Sequence, residues 1–549
     1  MVSLYSNLIP RWVLGPTARS LVSVSAALAL LNVSVTFRNV WPTLSVRPTL
    51  ELSLELAAVL VVLAAFQRRK KIVSLIVVRS LTIFWMFLIV GRYIEITTRS
   101  LYGRDVNLYW DFRHVPSVGA MFATVAEPWL VILGAGVVIL VPVVVYFVSR
   151  WAFTQVAKSV SSPGVRVAVS ALGVVIFVVY GFTKIGGRVA EGIRFSDPVV
   201  SAYARESFEF VYELTGAGVA ALGEAPTIDS SLVNVEGADV FVVFMESYGA
   251  VSWEEPSLSE PLVASRSSLE SDILETGRNV VSAMVESTTF GGESWLAHIS
   301  LLSGTEVRDD RTNVRLMAQD RDTLVKLFGR NGYRTVAIVP GLLVAWPEGA
   351  FYGFDEIYDY DRLGYKGPPF GWWSVNDQYA LARVDSVEIS PLGRNPRFVF
   401  FSTISTHAPF TPAPPYQADW TRVLGVEPYD EIELHEAWSD QPDWLNLGPS
   451  YVKALRYSYS MIGGYLRLRA ERDLVMILVG DHQPPALVSG ESASWNVPVH
   501  IVSSREVLLD RFRAHGFGGG LSPGRVAVAR MDSLLPILLD GFGSPSSGS

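Results

Sequence analysis

The chain has 549 residues, of which 50% are hydrophobic and 18% are charged, and it has no cysteine. Its mean hydropathy is +0.31, and so apolar a composition is unusual for a wholly soluble protein. The composition excludes a disordered chain, a coiled coil and a collagen-like chain. Without cysteine there are no disulfides, cysteine-bound zinc sites, iron–sulfur clusters or thiol nucleophiles.

Charge divides the chain into two parts. Residues 1–183 hold 16 lysines and arginines against 6 acidic residues, a net charge of +10. Residues 184–549 hold 29 against 47, a net charge of −18. A basic, apolar first third followed by an acidic remainder indicates a membrane part and a water-facing part. The acidity of the larger part argues against nucleic acid as a partner.

Five apolar stretches precede residue 184, each near the ~20 residues that a membrane-spanning helix needs. They run over 18–37, 52–66, 72–91, 128–149 and 166–183. The short loops at 67–71 (QRRKK) and 150–166 are positively charged, and the positive-inside rule places such loops in the cytoplasm. We therefore predict a multi-pass protein of the cytoplasmic (inner) membrane, with a transmembrane bundle of about five helices over 1–183 and the remainder outside the cytoplasm.

The part after residue 183 has a different pattern. We predict a helical connector over 184–236, a catalytic domain over 237–542 and a flexible tail over 543–549. Within 237–542, short β-branched runs alternate with helical stretches, which is typical of an α/β domain with a mainly parallel central sheet. Ligands of such sheets bind beyond the carboxyl ends of the strands. The predicted strands are 239–246, 335–340, 397–405, 474–482 and 499–504.

Three of these strands end near groups that bind metals or protons. Glu246 ends the first strand, Asp481 and His482 end the fourth, and His407 follows the third. Carboxylates and an imidazole at strand ends suit a divalent cation, and a buried carboxylate without a partner is costly. The structural alternatives are a helix cap or an ion pair for Glu246 and a purely structural role for each histidine.

The segment 287–304 (STTFGGESWLAHISLLSG) supplies the nucleophile candidates. Ser294 follows a glycine turn that leads into a helix, and such a turn can present a hydroxyl to a metal and to an oxyanion. A metal on that hydroxyl lowers its pKa. A serine that only caps the helix is the structural alternative, and Thr288 and Thr289 are rival nucleophiles. His298 falls in the same segment.

Four segments, in this order, resemble the sulfatase-like branch of the alkaline phosphatase superfamily. They are 239–249 (DVFVVFMESYG), 287–304, 397–410 (RFVFFSTISTHAPF) and 471–485 (ERDLVMILVGDHQPP). More narrowly, they resemble membrane-anchored phosphoglycerol and phosphoethanolamine transferases, a group that includes lipoteichoic acid synthase. The resemblance implies the alkaline phosphatase fold for 237–542.

The resemblance also implies roles for single residues. The implied metal ligands are Glu246, Ser294, Asp481 and His482. Ser294 would be the nucleophile, and His407 would bind the phosphate or assist the leaving group. His298 falls where sulfatases keep an arginine, and Trp346 falls in the counterpart of a substrate motif, so both are substrate-binding candidates. Sulfatases convert a Cys or Ser in a Cys/Ser-x-Pro-x-Arg context into formylglycine. Ser294 is instead followed by Trp-Leu-Ala-His, which favours an unmodified serine.

The implied reaction is metal-dependent transfer of a phosphoglycerol or phosphoethanolamine head group from a phospholipid donor to a glycan or glycolipid hydroxyl. It passes through a covalent Ser294 intermediate and uses one divalent ion, with Mn²⁺ favoured over Zn²⁺ or Mg²⁺. The enzymatic alternative is a membrane-anchored phosphodiesterase, phosphatase or sulfatase-like hydrolase. A non-catalytic binding or sensor protein is the third class, although such a protein has no need to keep all four implied ligands.

Overall fold

The computed structural model describes residues 16–40, 45–68, 73–113, 115–185, 194–215, 222–343, 345–371, 374–490 and 492–544. They form two compact units, the first mainly of residues before 217 and the second mainly of residues from 217 onward. Two predicted features, most of the basic loop at 67–71 and the end of the tail at 545–549, lie outside the described residues.

The first unit is helical because long apolar runs dominate its sequence. Its helices are α1 (Pro16–Thr36), α2 (Leu54–Arg68), α3 (Leu75–Tyr102), α4 (Leu108–Asp111), α5 (Val115–Val125), α6 (Pro128–Ser159), α7 (Pro163–Lys184) and α8 (Val199–Thr215). A short antiparallel pair, β1 (Arg38–Asn39) and β2 (Val46–Arg47), follows α1. Among the described residues, α3, α6 and α7 are long and apolar enough to cross a membrane. The apolar parts of α1 and α2 are shorter, so a five-helix count stays a prediction.

The first unit has a small core and apolar outer faces. Trp85 is fully buried, and its ring meets that of Phe153 edge to face at 5.5 Å between centroids. Most apolar side chains of α6 before Ser149 are instead exposed. Exposed apolar faces of this extent are typical of membrane-embedded helices, because lipid tails are as apolar as the side chains that contact them.

The second unit is built on a nine-stranded mixed sheet. Its strands are β3 (Asp239–Met245), β4 (Asn279–Glu286), β5 (Arg334–Ile338), β6 (Glu356–Tyr358), β7 (Arg397–Ser402), β8 (Leu474–Gly480), β9 (Asn496–Ser503), β10 (Gly518–Gly519) and β11 (Ala527–Arg530). The order is β10-β4-β9-β8-β3-β7-β5-β6, and β11 pairs with β4. The run β8-β3-β7-β5-β6 is parallel throughout, as the sequence predicts.

One edge of the sheet departs from the predicted parallel arrangement. All five predicted strands are present, but β9 runs antiparallel to both β8 and β4. A parallel return needs a crossover of a dozen or more residues, usually a helix. The connection from Gly480 to Asn496 has 15 residues, but among its described residues it holds one helix of four residues, too short to cross the face of the sheet. The chain therefore folds back antiparallel. Strand β4, which the sequence analysis missed, lies beside β9.

Helices complete the second unit. They are α9 (Val251–Glu254), α10 (Pro256–Glu275), α11 (Ser294–Ser303), α12 (Asp310–Met317), α13 (Leu324–Arg330), α14 (Pro347–Tyr352), α15 (Tyr360–Leu363), α16 (Asp377–Val384), α17 (Trp420–Val423), α18 (Glu431–Ser439), α19 (Gly448–Leu468), α20 (Ala486–Ser489), α21 (Glu506–Ala514) and α22 (Leu534–Phe542). A π-helix, Asp385–Ile389, follows α16.

The central strands are buried on both faces, which is why they read as continuous apolar runs. Along β3, Val240, Val242 and Phe244 belong to the core that includes α11, α13 and α22. Phe241 and Val243 belong to the opposite core, which includes α10, α16 and α19. Each such buried side chain stabilises the fold by roughly 1.5–3 kcal/mol. The rigid layers hold the strand ends, and with them the site, in place.

Candidate active site

The pairing of β3 with β8 brings the predicted acidic ligands together. The two strands are parallel, and Met245 is the register partner of Gly480. Glu246 and Asp481, the next residue on each strand, therefore leave the sheet at the same level and on neighbouring strands. Both side chains are buried. The parallel strands thus place two buried carboxylates next to each other.

Asp481 has one satisfied and one unsatisfied oxygen. Its Oδ1 accepts hydrogen bonds from the backbone amides of Ser247, at 2.8 Å, and His482, at 2.6 Å. Ser247 has a φ of 55°, the left-handed conformation, which turns the chain sharply after Glu246. The Oδ2 of Asp481 is buried and has no hydrogen-bond partner. A buried carboxylate oxygen without a hydrogen-bond partner is a position at which a cation can bind.

The hydroxyl of Ser294 lies between the other two predicted ligands. Its Oγ is 2.9 Å from Glu246 Oε2 and 3.1 Å from His482 Nε2. His482 Nδ1 is 2.7 Å from the carbonyl oxygen of Gln483, which only accepts, so Nδ1 carries the ring proton. His482 Nε2 therefore presents a lone pair toward Ser294. One hydroxyl proton cannot serve both acceptors, so the site has more lone pairs than protons.

The loop before α11 presents Ser294 at the first position of the helix. Gly291 and Glu293 both have positive φ, of 73° and 62°, and the hydroxyl of Thr289 donates to the carbonyl of Gly292 at 2.6 Å. A non-glycine residue in the left-handed region costs of order 1–3 kcal/mol and is frequent at functional sites. Thr288 accepts a hydrogen bond from Ser300 at 3.3 Å. Of the three candidate nucleophiles, Ser294 is the one that contacts the acidic and imidazole groups.

The residues present fit a divalent cation. One ligand atom from each of Glu246, Asp481 and His482 lies within 4.8 Å of the other two, and all three residues are buried. Two carboxylates and one neutral imidazole form a donor set that suits Zn²⁺, Mn²⁺ and related ions. The unsatisfied Oδ2 of Asp481 and the surplus of lone pairs around Ser294 are the features that a cation would relieve.

The protonation of the three groups reflects their crowding. Burial raises the pKa of Asp481 well above its ordinary value, and the adjacent charge of Glu246 raises it further. Burial also acts on Glu246, but His482, His407 and hydrogen bonds outweigh it and hold the pKa of Glu246 below its usual range. Burial lowers the pKa of His482, against the opposing charge of Glu246. Without a cation, one of the two carboxyl groups is protonated, because adjacent buried carboxylates cannot both ionise.

His407 lies in the turn after β7, close enough for its charge to act on Glu246 and His482. Its Nδ1 donates to the carbonyl of Ala408 at 2.8 Å. The same turn is held by Asp377, whose two carboxylate oxygens accept the backbone amides of Ile404 and Ser405, each at 2.8 Å. Burial raises the pKa of Asp377 to about 6. Asp377 thus positions the segment that carries His407.

Two of the three predicted substrate-binding residues, His298 and Trp346, pack near Phe400. His298 is buried, with its ring centroid 4.3 Å from that of Phe244 and 5.3 Å from that of Phe400. Its Nε2 has no hydrogen-bond partner, and burial lowers the pKa of His298 to about 3. Trp346 is half-buried and lies 6.0 Å from Phe400. His298 and Trp346 therefore both pack against Phe400. Substrate binding by either residue stays a prediction.

The sequence analysis missed the residues that support the ligands. Thr403 accepts a hydrogen bond from the amide of Glu246 at 3.0 Å, and the hydroxyl of Thr406 donates to the carbonyl of Glu246. Thr403 lies near the end of the predicted strand 397–405 and Thr406 directly follows it, which was a usable signal. Asp377 carried no such signal, since it lies in the first turn of α16, where an acidic residue is common for the helix alone.

The fold and the site together define a class of protein: an α/β domain with a buried acidic and imidazole cluster facing a serine at the start of a helix. Residues 297–500 match the family described as Sulfatase. This match shows a sulfatase-like domain over these residues, in agreement with the motifs at 397–410 and 471–485 that lie within it. The matched range includes His407, Asp481 and His482, whereas Glu246 and Ser294 precede it.

Solved structures of low sequence identity resemble the chain. A protein of the alkaline phosphatase superfamily from Vibrio parahaemolyticus is 18% identical, with 59% of this chain and 72% of that one covered and a TM-score of 0.40. The lipoteichoic acid synthase LtaP from Listeria monocytogenes is 15% identical (62% and 79% covered, TM-score 0.39). The lipooligosaccharide phosphoethanolamine transferase EptA from Neisseria meningitidis is 12% identical (94% and 95% covered, TM-score 0.46). No curated protein sequence matches the chain.

Proposed function

We propose that this protein is a membrane-anchored, metal-dependent transferase that moves a phosphorylated head group from a phospholipid to a hydroxyl of a glycan or glycolipid. The observation that carries the proposal is the hydroxyl of Ser294, which lies between Glu246 and His482 and beside Asp481. A hydroxyl in hydrogen-bond contact with bases at the start of a helix is the arrangement expected of an activated nucleophile.

The reaction has two steps. In the first, Ser294 Oγ bonds to the phosphorus of the head group, and the bond from phosphorus to the diacylglycerol oxygen breaks. Diacylglycerol leaves as an alcohol with the proton that Ser294 gives up. In the second step, a hydroxyl of the acceptor bonds to phosphorus, the bond from phosphorus to Oγ breaks, and the acceptor's proton restores the serine. The head group is thus transferred without any net change in charge or oxidation state.

Glu246, Asp481 and His482 would hold a divalent ion, with Mn²⁺ favoured and Zn²⁺ or Mg²⁺ as alternatives. When bound, such an ion supplies the positive charge that lowers the pKa of a nearby hydroxyl and offsets negative charge on phosphoryl oxygens. His407 adds a second group on the side of β7, where its imidazolium form can donate from Nε2 to the phosphate while Nδ1 donates to Ala408. The surrounding burial strengthens each of these electrostatic interactions, because the local dielectric constant is low.

The membrane part suits a lipid donor. A transferase that takes its head group from a phospholipid gains from being anchored in the bilayer that contains the donor. Helices α3, α6 and α7, together with the apolar parts of α1 and α2, form the proposed anchor. We place the second unit outside the cytoplasm, on the distribution of basic residues in the short loops. Proteolysis of intact spheroplasts, which cuts only the exposed side, tests that orientation.

The decisive experiment measures diacylglycerol release from fluorescent phosphatidylglycerol and phosphatidylethanolamine by the full-length, metal-supplemented protein. Ser294→Ala should abolish release, whereas Ser303→Ala should retain it. Ser303 is the matched control, because it lies on the same helix and its buried hydroxyl donates to the backbone carbonyl of Ile299 at 2.6 Å. Release that Ser294→Ala leaves intact would overturn the proposal. Steady release of head-group phosphate without an acceptor would instead indicate a hydrolase.

A further inference from the structure

A second buried polar cluster flanks the helix that carries Ser294, and the reaction proposed above does not use it. We call it the Glu348 cluster and define it as Asn313, Trp346, Glu348 and Tyr352. Glu348 is 8% exposed, and its carboxylate accepts a hydrogen bond from Asn313 Nδ2 at 2.8 Å. Within the described part of the chain, it forms no ion pair with lysine, arginine or histidine. A buried carboxylate without a cation is energetically costly.

Two further polar groups of the cluster also lack a partner. A carboxylate only accepts hydrogen bonds, so the NH₂ of Asn313 must face Glu348 and its Oδ1 must point elsewhere. That Oδ1 is buried and unpaired, and so is the hydroxyl of Tyr352. Asn313 is 3% exposed and Tyr352 is 0% exposed. The cluster therefore contains a carboxylate and two unpaired oxygen atoms, each of which can accept a hydrogen bond from a cationic N–H donor.

Trp346 adds an aromatic surface to the cluster. It precedes Glu348 by two residues and is half-buried. Its ring is nearly parallel to that of Phe354, with an interplanar angle of 17° and 6.1 Å between the ring centroids. The face of a tryptophan ring attracts cations more strongly than any other side chain without charge. The ring of Trp346 also lies 5.8 Å from that of Tyr352, another member of the cluster. A carboxylate and an aromatic face in one cluster favour an ammonium group over a neutral hydroxyl group.

The cluster lies beside the candidate active site. Trp295, the residue after the candidate nucleophile, donates from Nε1 to Asp310 Oδ1 at 3.0 Å, which ties α11 to the start of α12. Helix α11 also contacts α14. Phe400 lies between Trp346 and His298, at 6.0 and 5.3 Å from their rings. Every member of the cluster is thus on α12, on α14 or at the first residue before α14, next to the helix of Ser294.

Stabilisation of a helix by an acid in its first turn is a simpler role for Glu348. That role requires no burial and no bond to Asn313. It also leaves the unpaired Oδ1 of Asn313 and the unpaired hydroxyl of Tyr352 unexplained. A bound cationic donor would give the carboxylate of Glu348 the positive partner that it does not have among the described residues.

We propose that the Glu348 cluster binds a primary ammonium group of the substrate. This inference rests on the proposed function, because it names a chemical group of the substrate on which Ser294 would act. The ammonium group could belong to the head group of the donor lipid, as in ethanolamine, or to an amino sugar of the acceptor. Both sources present the same –NH₃⁺ group to Glu348, and the experiment below separates them.

The test compares substrates with and without the amine on the full-length, metal-supplemented protein in mild detergent. One arm uses phosphatidylethanolamine and its N-acetylated form as donors with a single acceptor. The other arm uses a glucosamine-containing acceptor and its N-acetylated form with a single donor. We expect the wild type to prefer one amine substrate by about 10- to 100-fold in kcat/KM, the effect of one charged hydrogen bond.

Glu348→Gln should reduce that preference to near unity, because glutamine can still accept from Asn313 but has no charge. Glu306→Gln is the matched control and should keep the preference, since Glu306 pairs with Arg308 at the surface. A preference in the donor arm assigns the ammonium group to the lipid, and a preference in the acceptor arm assigns it to the acceptor. No preference in either arm, with release of diacylglycerol that depends on Ser294, overturns the cluster's role and leaves the proposed function standing.

A binding measurement keeps the inference testable if no donor turns over, a result that would count against the proposed function alone. Thermal shifts of Ser294→Ala are measured with O-phosphoethanolamine and with glycerol phosphate, with and without Glu348→Gln. Stabilisation by the amine that disappears with Glu348→Gln supports the cluster's role. Equal stabilisation by both compounds, unchanged by Glu348→Gln, overturns it.

Discussion

Ser294 and Glu246 are 48 residues apart in the chain, yet the hydroxyl of the serine donates to the carboxylate at 2.9 Å. The contact exists because β3 ends where α11 begins, on the side of the sheet where parallel strands terminate. Neither residue is unusual for its local structure, since a serine often starts a helix and an acid often follows a strand. Their chemistry arises from the tertiary fold, which also places His482 against the same hydroxyl.

Asp481→Asn should remove bound metal without unfolding the protein. Asparagine can still accept the two backbone amides at Oδ1, but its NH₂ would replace the unpaired Oδ2 with a donor that repels a cation. We expect metal content, measured by mass spectrometry after dialysis, to fall from about one ion per chain to near zero. Asp473→Asn is the control, because Asp473 precedes the same strand and pairs with Arg505 near the surface. Full metal retention by Asp481→Asn would contradict the ligand assignment.

The sequence could predict this grouping because three apolar strands end near polar residues and parallel strands end on one side. The apolar runs also located five strands to within a few residues. The direction of β9 could not be predicted, because it depends on the conformation of the 15 residues between Gly480 and Asn496. The contacts of Asp377 with the turn at 404–405 could not be predicted either, because they join distant segments through backbone amides that any sequence possesses.

Thr288→Val should leave transferase activity within a few-fold of the wild type. Thr288 is a rival nucleophile by sequence, but its described hydroxyl contact is with Ser300, and Ser300 also donates to the carbonyl of Leu296 at 2.6 Å. Removing the hydroxyl of Thr288 therefore leaves Ser300 with a partner, and the stability cost should be about 1 kcal/mol. Activity is measured as diacylglycerol release. A loss as large as that of Ser294→Ala would move the nucleophile to Thr288.

Asp377→Ala should lower kcat while metal content stays unchanged. Loss of the carboxylate frees the amides of Ile404 and Ser405 and loosens the turn that carries His407. A misplacement of about 1 Å in a reacting group can reduce the rate by about 100-fold, so we expect a decrease of about 10- to 100-fold in kcat. Asp355→Ala is the control, because Asp355 likewise accepts from the backbone amide and hydroxyl of Thr335, beside a different strand. Equal effects of the two variants would indicate general destabilisation.

His500→Gln should remove part of the protein's sensitivity to acid. His500 is buried between Tyr248, at 3.0 Å, and Ser282, at 2.7 Å, and burial lowers the pKa of His500 from 6.5 to about 3. Between these two pKa values, His500 is protonated in the unfolded chain and neutral in the folded chain. The free energy of unfolding therefore decreases as the pH falls below about 6.5. Above that pH the histidine is neutral in both states, and it contributes no pH dependence.

The expected size of this effect follows from linkage between proton binding and folding. From pH 7 to pH 5, the wild type should lose about 2 kcal/mol more of its free energy of unfolding than His500→Gln, because glutamine does not titrate. Urea unfolding of the full-length protein in mild detergent, followed by tryptophan fluorescence, measures the difference. Tyr248→Phe is the control, because it removes the hydrogen bond between Tyr248 and His500 but keeps the histidine. It should lower the free energy of unfolding equally at both pH values. Parallel pH dependence in the wild type and His500→Gln would show that His500 titrates normally in the fold.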